Sequence, residues 1–168
     1  MRKLRELDYK LLSELMKNAK RSDRQLAKVL KSSQPTITRT RAFLEKELID
    51  GYTIIPKWKA LGYEILAFTF VKTKQDLRTK ELYEGVAKRG TAFLMKHPNI
   101  LMSGGCRGLG KNGFIISVHK NYSDLDDFLA DHKREIGDLC VDIDTILVNL
   151  GGNAIPKPFH LKYLAEAK

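Results

Sequence analysis

The stretch from Ser22 to Leu48 leaves its backbone few options. Ser22-Asp-Arg-Gln25 is a capping box, in which the serine hydroxyl and the glutamine side chain satisfy free amides of a first helical turn. A short helix from Asp23 to about Leu30 follows, burying Leu26, Ala27 and Leu30. The polar Lys31-Ser-Ser33 ends it, and Pro35 suits the first turn of another helix, where its missing amide costs nothing. That helix runs from about Gln34 to Leu48, with Ile37, Leu44 and Leu48 on one face and Thr36, Thr38, Arg39 and Lys46 directed elsewhere. Upstream, Leu7, Leu11, Leu12, Leu15 and Met16 follow helical spacing, with Asp8 as the expected cap. Downstream, Asp50-Gly51 turns the chain into Tyr52-Thr-Ile-Ile55, which reads as a short strand.

Two short helices joined by a tight turn, the second bearing hydroxyls and arginines near its start, form a helix-turn-helix pattern. A helix entering a major groove needs small polar and Arg side chains at its N-terminal end, and its dipole there favours a phosphate. Arg39 is the candidate reader of a guanine edge; Lys31, Ser32, Ser33 and Thr36 are placed for backbone contacts. Arg24, Gln34 and Thr38 complete the candidate double-stranded DNA surface, and Arg41 fits either role. Charge agrees with this. The 168 residues carry a formal +10, and the first sixty hold 15 Lys and Arg against 7 Asp and Glu, a net of +8.

The rest of the chain is nearly neutral and reads differently. Trp58-Lys-Ala-Leu-Gly62 is a connection, and Ile65 to Val71 an apolar, aromatic strand. Asp76 to about Lys96 has helical spacing in Leu82, Val86, Phe93 and Leu94, with Gly90 as a candidate break. Ile100-Leu-Met-Ser103 and Phe114 to Val118 are strands separated by a Gly-rich loop. Ser123 starts an acidic-capped helix, and Ile143 to Leu150 is the last strand. This β-α-β-β-α-β order is the ferredoxin-like arrangement, so the fold class is α+β, a winged helix-turn-helix followed by a ferredoxin-like domain. The expected divisions are 1–56 for the DNA-binding domain, 57–62 for a linker, 63–152 for the second domain and 153–168 for a tail.

Several other chemistries fail on context. Gly105-Cys-Arg-Gly-Leu-Gly110-Lys111-Asn112 resembles a P-loop, but Asn112 stands where a magnesium-binding hydroxyl belongs, and a strand follows where a helix N-terminus is needed. His97, His119, His132 and His160 are scattered, with no i, i+4 pair, so no metal site is expected. Cys106 and Cys140 form neither a CxxC pair nor a disulfide framework, which makes a reducing cytoplasm the expected compartment. The longest apolar runs fall far short of the ~20 residues that span a bilayer. No catalytic residues, cofactor or membrane partner are expected.

Asp8-Tyr-Lys-Leu-Leu-Ser-Glu-Leu15, Asn18-Ala-Lys-Arg-Ser22, Gln25-Leu-Ala27, Ser33-Gln-Pro-Thr-Ile37, Leu44-Glu45 and Gly51-Tyr52 resemble the winged helix-turn-helix of the Lrp/AsnC family of transcriptional regulators. Lys31 stands where the family turn often has Gly, and Thr40-Arg41 where Arg is usually followed by an aliphatic residue. The resemblance implies a C-terminal effector and oligomerisation domain, a homodimer or an assembly such as an octamer, and a small-molecule effector such as an amino acid. By that resemblance Gly104, Gly105, Arg107, Gly110, Lys111 and Asn112 fall in the effector region. The family's usual acidic residue is there replaced by Asn112 or Gly113. Two alternatives carry different expectations: a tetrapyrrole (sirohaem) decarboxylase-type enzyme on the same fold, and a nonspecific architectural DNA binder.

Overall fold

The computed structural model describes residues 2–74, 80–152 and 155–166, with backbone alone for 80–83. The chain divides into two compact units, one of residues up to Ile55 together with those from Lys157, the other Pro56–Pro156.

The first unit contains α1 (Glu6–Lys17), α2 (Asp23–Val29) and α3 (Gln34–Glu47). Leu11 and Leu15 of α1, Leu26 and Ala27 of α2, and Ile37 and Leu44 of α3 close one core, flanked by Leu7, Leu12, Leu30, Phe43 and Ile49. Such i, i+4 apolar pairs occupy one stripe of each helix, and three stripes bury one another. Leu48, expected inside, is instead exposed, because α3 ends one residue before it; Thr40 takes a buried place.

Asp8 is not the helix cap. Arg5 precedes the first turn, and the buried Asp8 carboxylate, three residues on, accepts from the Arg5 amide at 2.6 Å. It also accepts from the Arg2 guanidinium at 2.6 and 2.8 Å and lies 3.3 Å from that of Arg5. These hydrogen bonds, that of Arg2 foremost, hold its carboxyl well below the usual carboxylate range. Arg2 in turn lies 3.7 Å over the ring of Phe43, so the N-terminal residues are fastened to α3.

Two further expectations change. Residues 51–57 form no strand: Tyr52, Ile54 and Ile55 are exposed, and the Tyr52 hydroxyl donates to Glu45 at 2.9 Å. A single extended segment with no neighbour to share its ladder is not stable as a strand. In place of a plain tail, a short helix α6 (Lys162–Glu166) packs on α1, and the Ser13 hydroxyl donates to the Ala165 carbonyl at 3.2 Å.

The second unit follows the expected element order. It comprises β1 (Ile65–Thr73), α4 (Lys80–Lys96), β2 (Ile100–Gly108), β3 (Lys111–His119), α5 (Tyr122–Ile136) and β4 (Cys140–Asn149). The sheet is antiparallel, ordered β2-β3-β1-β4. The expected helix start at Asp76 lies outside the described residues; Leu82 falls within α4, and its inward placement concerns a side chain that is not described. Gly90 does not break α4, a lone helical glycine costing only ~1 kcal/mol against alanine.

Ile65 and Ala67 pack with Leu125, and Ile115 with Phe93, Phe128 and Ile136, so α4 and α5 cover one face of the sheet. The opposite face carries half-buried Phe68, Phe70, Phe114 and Ile116, aligned by the pairs Phe68–Ile116 and Phe70–Phe114. No helix among the described residues is long and apolar enough to cross a membrane.

Candidate nucleic-acid interface

The turn between α2 and α3 is set by three local bonds. The Ser32 amide donates to the Ala27 carbonyl at 2.9 Å, closing α2. Lys31 takes a left-handed backbone, φ +50°, a conformation that glycine adopts without strain. Ser33 then caps α3: its hydroxyl accepts from the Thr36 amide at 3.3 Å and lies 2.7 Å from the Thr36 hydroxyl. Ser33 and Thr36 thus spend hydrogen bonds on one another, while Gln34 and Pro35 stand exposed beside them.

The roll of α3 is fixed by Asp23, at the start of α2. Its carboxylate accepts from the Thr38 hydroxyl at 2.7 Å and lies 2.9 Å from Nε of Arg41. Arg41 also donates to the Arg21 carbonyl at 2.7 Å. Thr38 makes a second bond to the Gln34 carbonyl at 3.1 Å. Two of the candidate DNA residues are therefore already bonded within the protein, Thr38 at its surface and Arg41 half-buried. Arg39, between the two in sequence, is exposed and, like Arg24, Lys28 and Lys31, has no carboxylate within ion-pair distance among the described residues. Arg39 shares its face with Thr36, three residues earlier, and with Pro35 and Ala42. The result is an exposed helix start with uncompensated positive charge, which attracts an anion and can reach base edges.

The part played by Asp23 was not legible in the sequence. An acidic residue at a helix start has a sufficient local reason in the dipole, and nothing in the spacing marks it as the partner of Arg41.

The Gly-rich segment is the tip of a hairpin whose strands run further than expected. β2 continues to Gly108 and β3 starts at Lys111, leaving a two-residue turn of Leu109 and Gly110 at φ +52° and +70°, the signs of a type I′ turn. Of the proposed effector residues, Gly104, Gly105 and Arg107 lie on β2, Gly110 in the turn, and Lys111 and Asn112 on β3. Lys111 is buried and ion-paired with Asp142 and, at 2.7 Å, Asp144; the two hydrogen bonds raise its ammonium pKa. The Asn112 amide accepts from the Thr73 amide at 2.9 Å and donates to the Thr73 hydroxyl at 2.8 Å. Both side chains knit the sheet together, which leaves Arg107 as the exposed charged member of the set.

The AsnC-type helix-turn-helix domain matches residues 4–45, which contain every candidate DNA residue. The chain is 30% identical over 128 residues to the HTH-type transcriptional regulator FL11 of Pyrococcus horikoshii, covering 75% of this chain and 78% of that one. It is 35% identical over 100 residues to the HTH-type transcriptional regulator LrpA of Pyrococcus abyssi, covering 59% and 67%. Among solved structures, the transcriptional regulator NMB0573 of Neisseria meningitidis, in complex with L-Met, has the same fold at a TM-score of 0.75, with 17% identity over 87% of this chain and 90% of that one. The curated relatives are named as transcriptional regulators, the reading the sequence favoured over a decarboxylase. A helix-turn-helix with a charged, exposed α3 followed by a four-stranded α+β domain, in a chain so related, belongs to the Lrp/AsnC family of DNA-binding transcriptional regulators.

Proposed function

We propose that this regulator reads duplex DNA with the start of α3 in the major groove, Arg39 contacting a base edge and Arg24, Lys31, Ser32 and Gln34 the phosphate backbone. The observation that carries this reading is the contrast within α3. Thr38 and Arg41 are tied to Asp23, and Arg39 between them is free. Arg41 acts by holding α3 in place, and Ser33 and Thr36 by shaping its first turn.

The protein acts as a homodimer through the Phe68, Phe70, Phe114 and Ile116 face of its sheet, an apolar face that α4 and α5 do not cover. Two recognition helices then meet half-sites one duplex turn, about 34–36 Å, or a multiple apart. An amino-acid effector is supported by the L-Met complex of the Neisseria protein. Here it would meet Arg107 and the glycine backbone of the hairpin, since Lys111 and Asn112 are already bonded.

Selection of genomic fragments with purified protein at one near-physiological salt concentration tests the reading, because electrostatic DNA affinity is defined only at stated salt. Recurrent enrichment of a pseudo-palindrome is the expected result. Uniform retention of all duplexes would replace it with a nonspecific architectural binder.

A further inference from the structure

We propose that His97, Asp131 and Glu135 form a binding site for a first-row divalent cation of the zinc type, within the second unit. Asp131 and Glu135 lie one turn apart on the same face of α5, and His97 directly follows the last residue of α4. One ligand atom from each lies within 4.8 Å of the other two. Donors around a tetrahedral zinc at ~2.1 Å stand about 3.4 Å apart, so small side-chain rotations close the set.

A second observation concerns the imidazole itself. His97 Nε2 is shut off from solvent and has no hydrogen-bond partner among the described residues. Buried polar nitrogens are nearly always partnered, by protein, water or ion. The ring cannot easily turn away to find a partner elsewhere: Phe93 lies 4.4 Å from it and Phe128 5.3 Å, centroid to centroid.

The surroundings favour a cation. His97 and Asp131 line a cleft of about 350 Å³ that also presents Asp124 and Asp127, with Lys120 as its one basic group among the lining residues. The acidic pair is not locked away. Arg134 holds Oδ1 of Asp131 and lies 3.8 Å from Oε1 of Glu135, which Lys96 holds, while the second oxygen of each carboxylate has no bond among the described residues. One imidazole and two carboxylates suit zinc and its neighbours, whereas calcium and magnesium prefer oxygen alone. Three protein ligands beside an open cleft make an exchangeable site with a position left for water. Bound there, the ion joins the end of α4 to α5, the two helices that cover the sheet.

Calorimetric titration of metal-free full-length protein with Zn2+ tests this. One ion per chain is expected, with affinity reduced at least about tenfold, the loss that even outer partners of a metal ligand cause, in His97→Ala and independently in the Asp131→Asn, Glu135→Gln pair. The carboxylate pair is partly exposed and keeps its shape on substitution, so it reports even where His97→Ala disturbs the Phe93 packing. Co2+ in place of zinc should show the weak visible bands of nitrogen and oxygen ligands without thiolate charge transfer. No saturable binding to the folded protein, binding unchanged in the carboxylate variant, or binding abolished by alkylating Cys106 and Cys140 would each overturn the proposal.

Discussion

Both units pair cations with acids, but they differ in the charge left over. In the helical unit an acid, Asp8, is buried beneath arginines, while Arg24, Lys28, Lys31 and Arg39 stand exposed with no carboxylate in ion-pair reach among the described residues. In the sheet unit, the cations that tie elements together are matched to acids: Lys111 to Asp142 and Asp144, Arg89 to Asp138 through two 2.8 Å hydrogen bonds, Lys96 to Glu135, while Arg107 stays exposed. Its titratable histidines His119 and His132 are buried. Unmatched charge costs little at an exposed surface but leaves a strong field, so it marks the face that awaits an anion. Matched charge, by contrast, orients strands and helices.

The largest test of this division concerns the cores. Phe93 is 1% exposed and touches Phe128, His97 and His132, so Phe93→Ala should cost the sheet unit ~3–5 kcal/mol. Trp58, the single tryptophan, lies in that unit and reports its unfolding, while hydrogen exchange follows α1 to α3. Equal destabilisation of both would show one cooperative body and break the comparison.

Acid should separate the units as well. Burial lowers the pKa of His119 and His132, so their neutral forms stabilise the fold above the unfolded value of ~6.5, and that stability is lost as pH falls through the depressed folded values. Asp8, lowered chiefly by its hydrogen bond to Arg2, contributes above ~3.9 and loses its contribution only as pH falls further. Trp58 emission should therefore change at a higher pH than helix exchange in α1. Asp8→Asn should cost ~1–3 kcal/mol at pH 7 in the helical unit and nothing once the wild-type carboxyl is protonated.

On DNA, Arg39→Ala should lose ~1–3 kcal/mol on the selected site and relax base preference, measured by competition against random duplex. Equal losses on both duplexes would make Arg39 a phosphate contact. Arg41→Ala should instead lower the stability of the helical unit, since it removes the tie between α3 and both Asp23 and Arg21. The smallest effect is at the turn. Lys31→Gly should relieve left-handed strain of about 1 kcal/mol while reducing the salt dependence of DNA binding by about one ion.

The helices of the first unit were legible because their causes are local: the Ser22–Gln25 box, Pro35 at a helix start and i, i+4 leucines each act within one or two turns. The element order of the sheet unit was legible for the same reason, through strand and helix periodicity. Three features of the site were not. Asp23 meets Arg41 across 18 positions, and Lys111 meets Asp142 and Asp144 across a strand, pairings that no local spacing encodes. The Gly-rich stretch looked like a loop because glycine disfavours strands, yet pairing from Ser103–Ile115 to Gly105–Gly113 kept it extended. The supposed wing failed for the converse reason, a strand-forming sequence with no partner.

By itself the sequence determined the helix-turn-helix, the βαββαβ order, the excess positive charge and the family, since these rest on periodicity, capping and composition along the chain. Only the tertiary structure decided that Arg39 is free while Arg41 and Thr38 are held, that Lys111 is spent inside the sheet, and that His97 comes near Asp131 and Glu135. Those outcomes depend on which surfaces pack together, and packing joins residues far apart in the chain through distances that the order of residues does not contain.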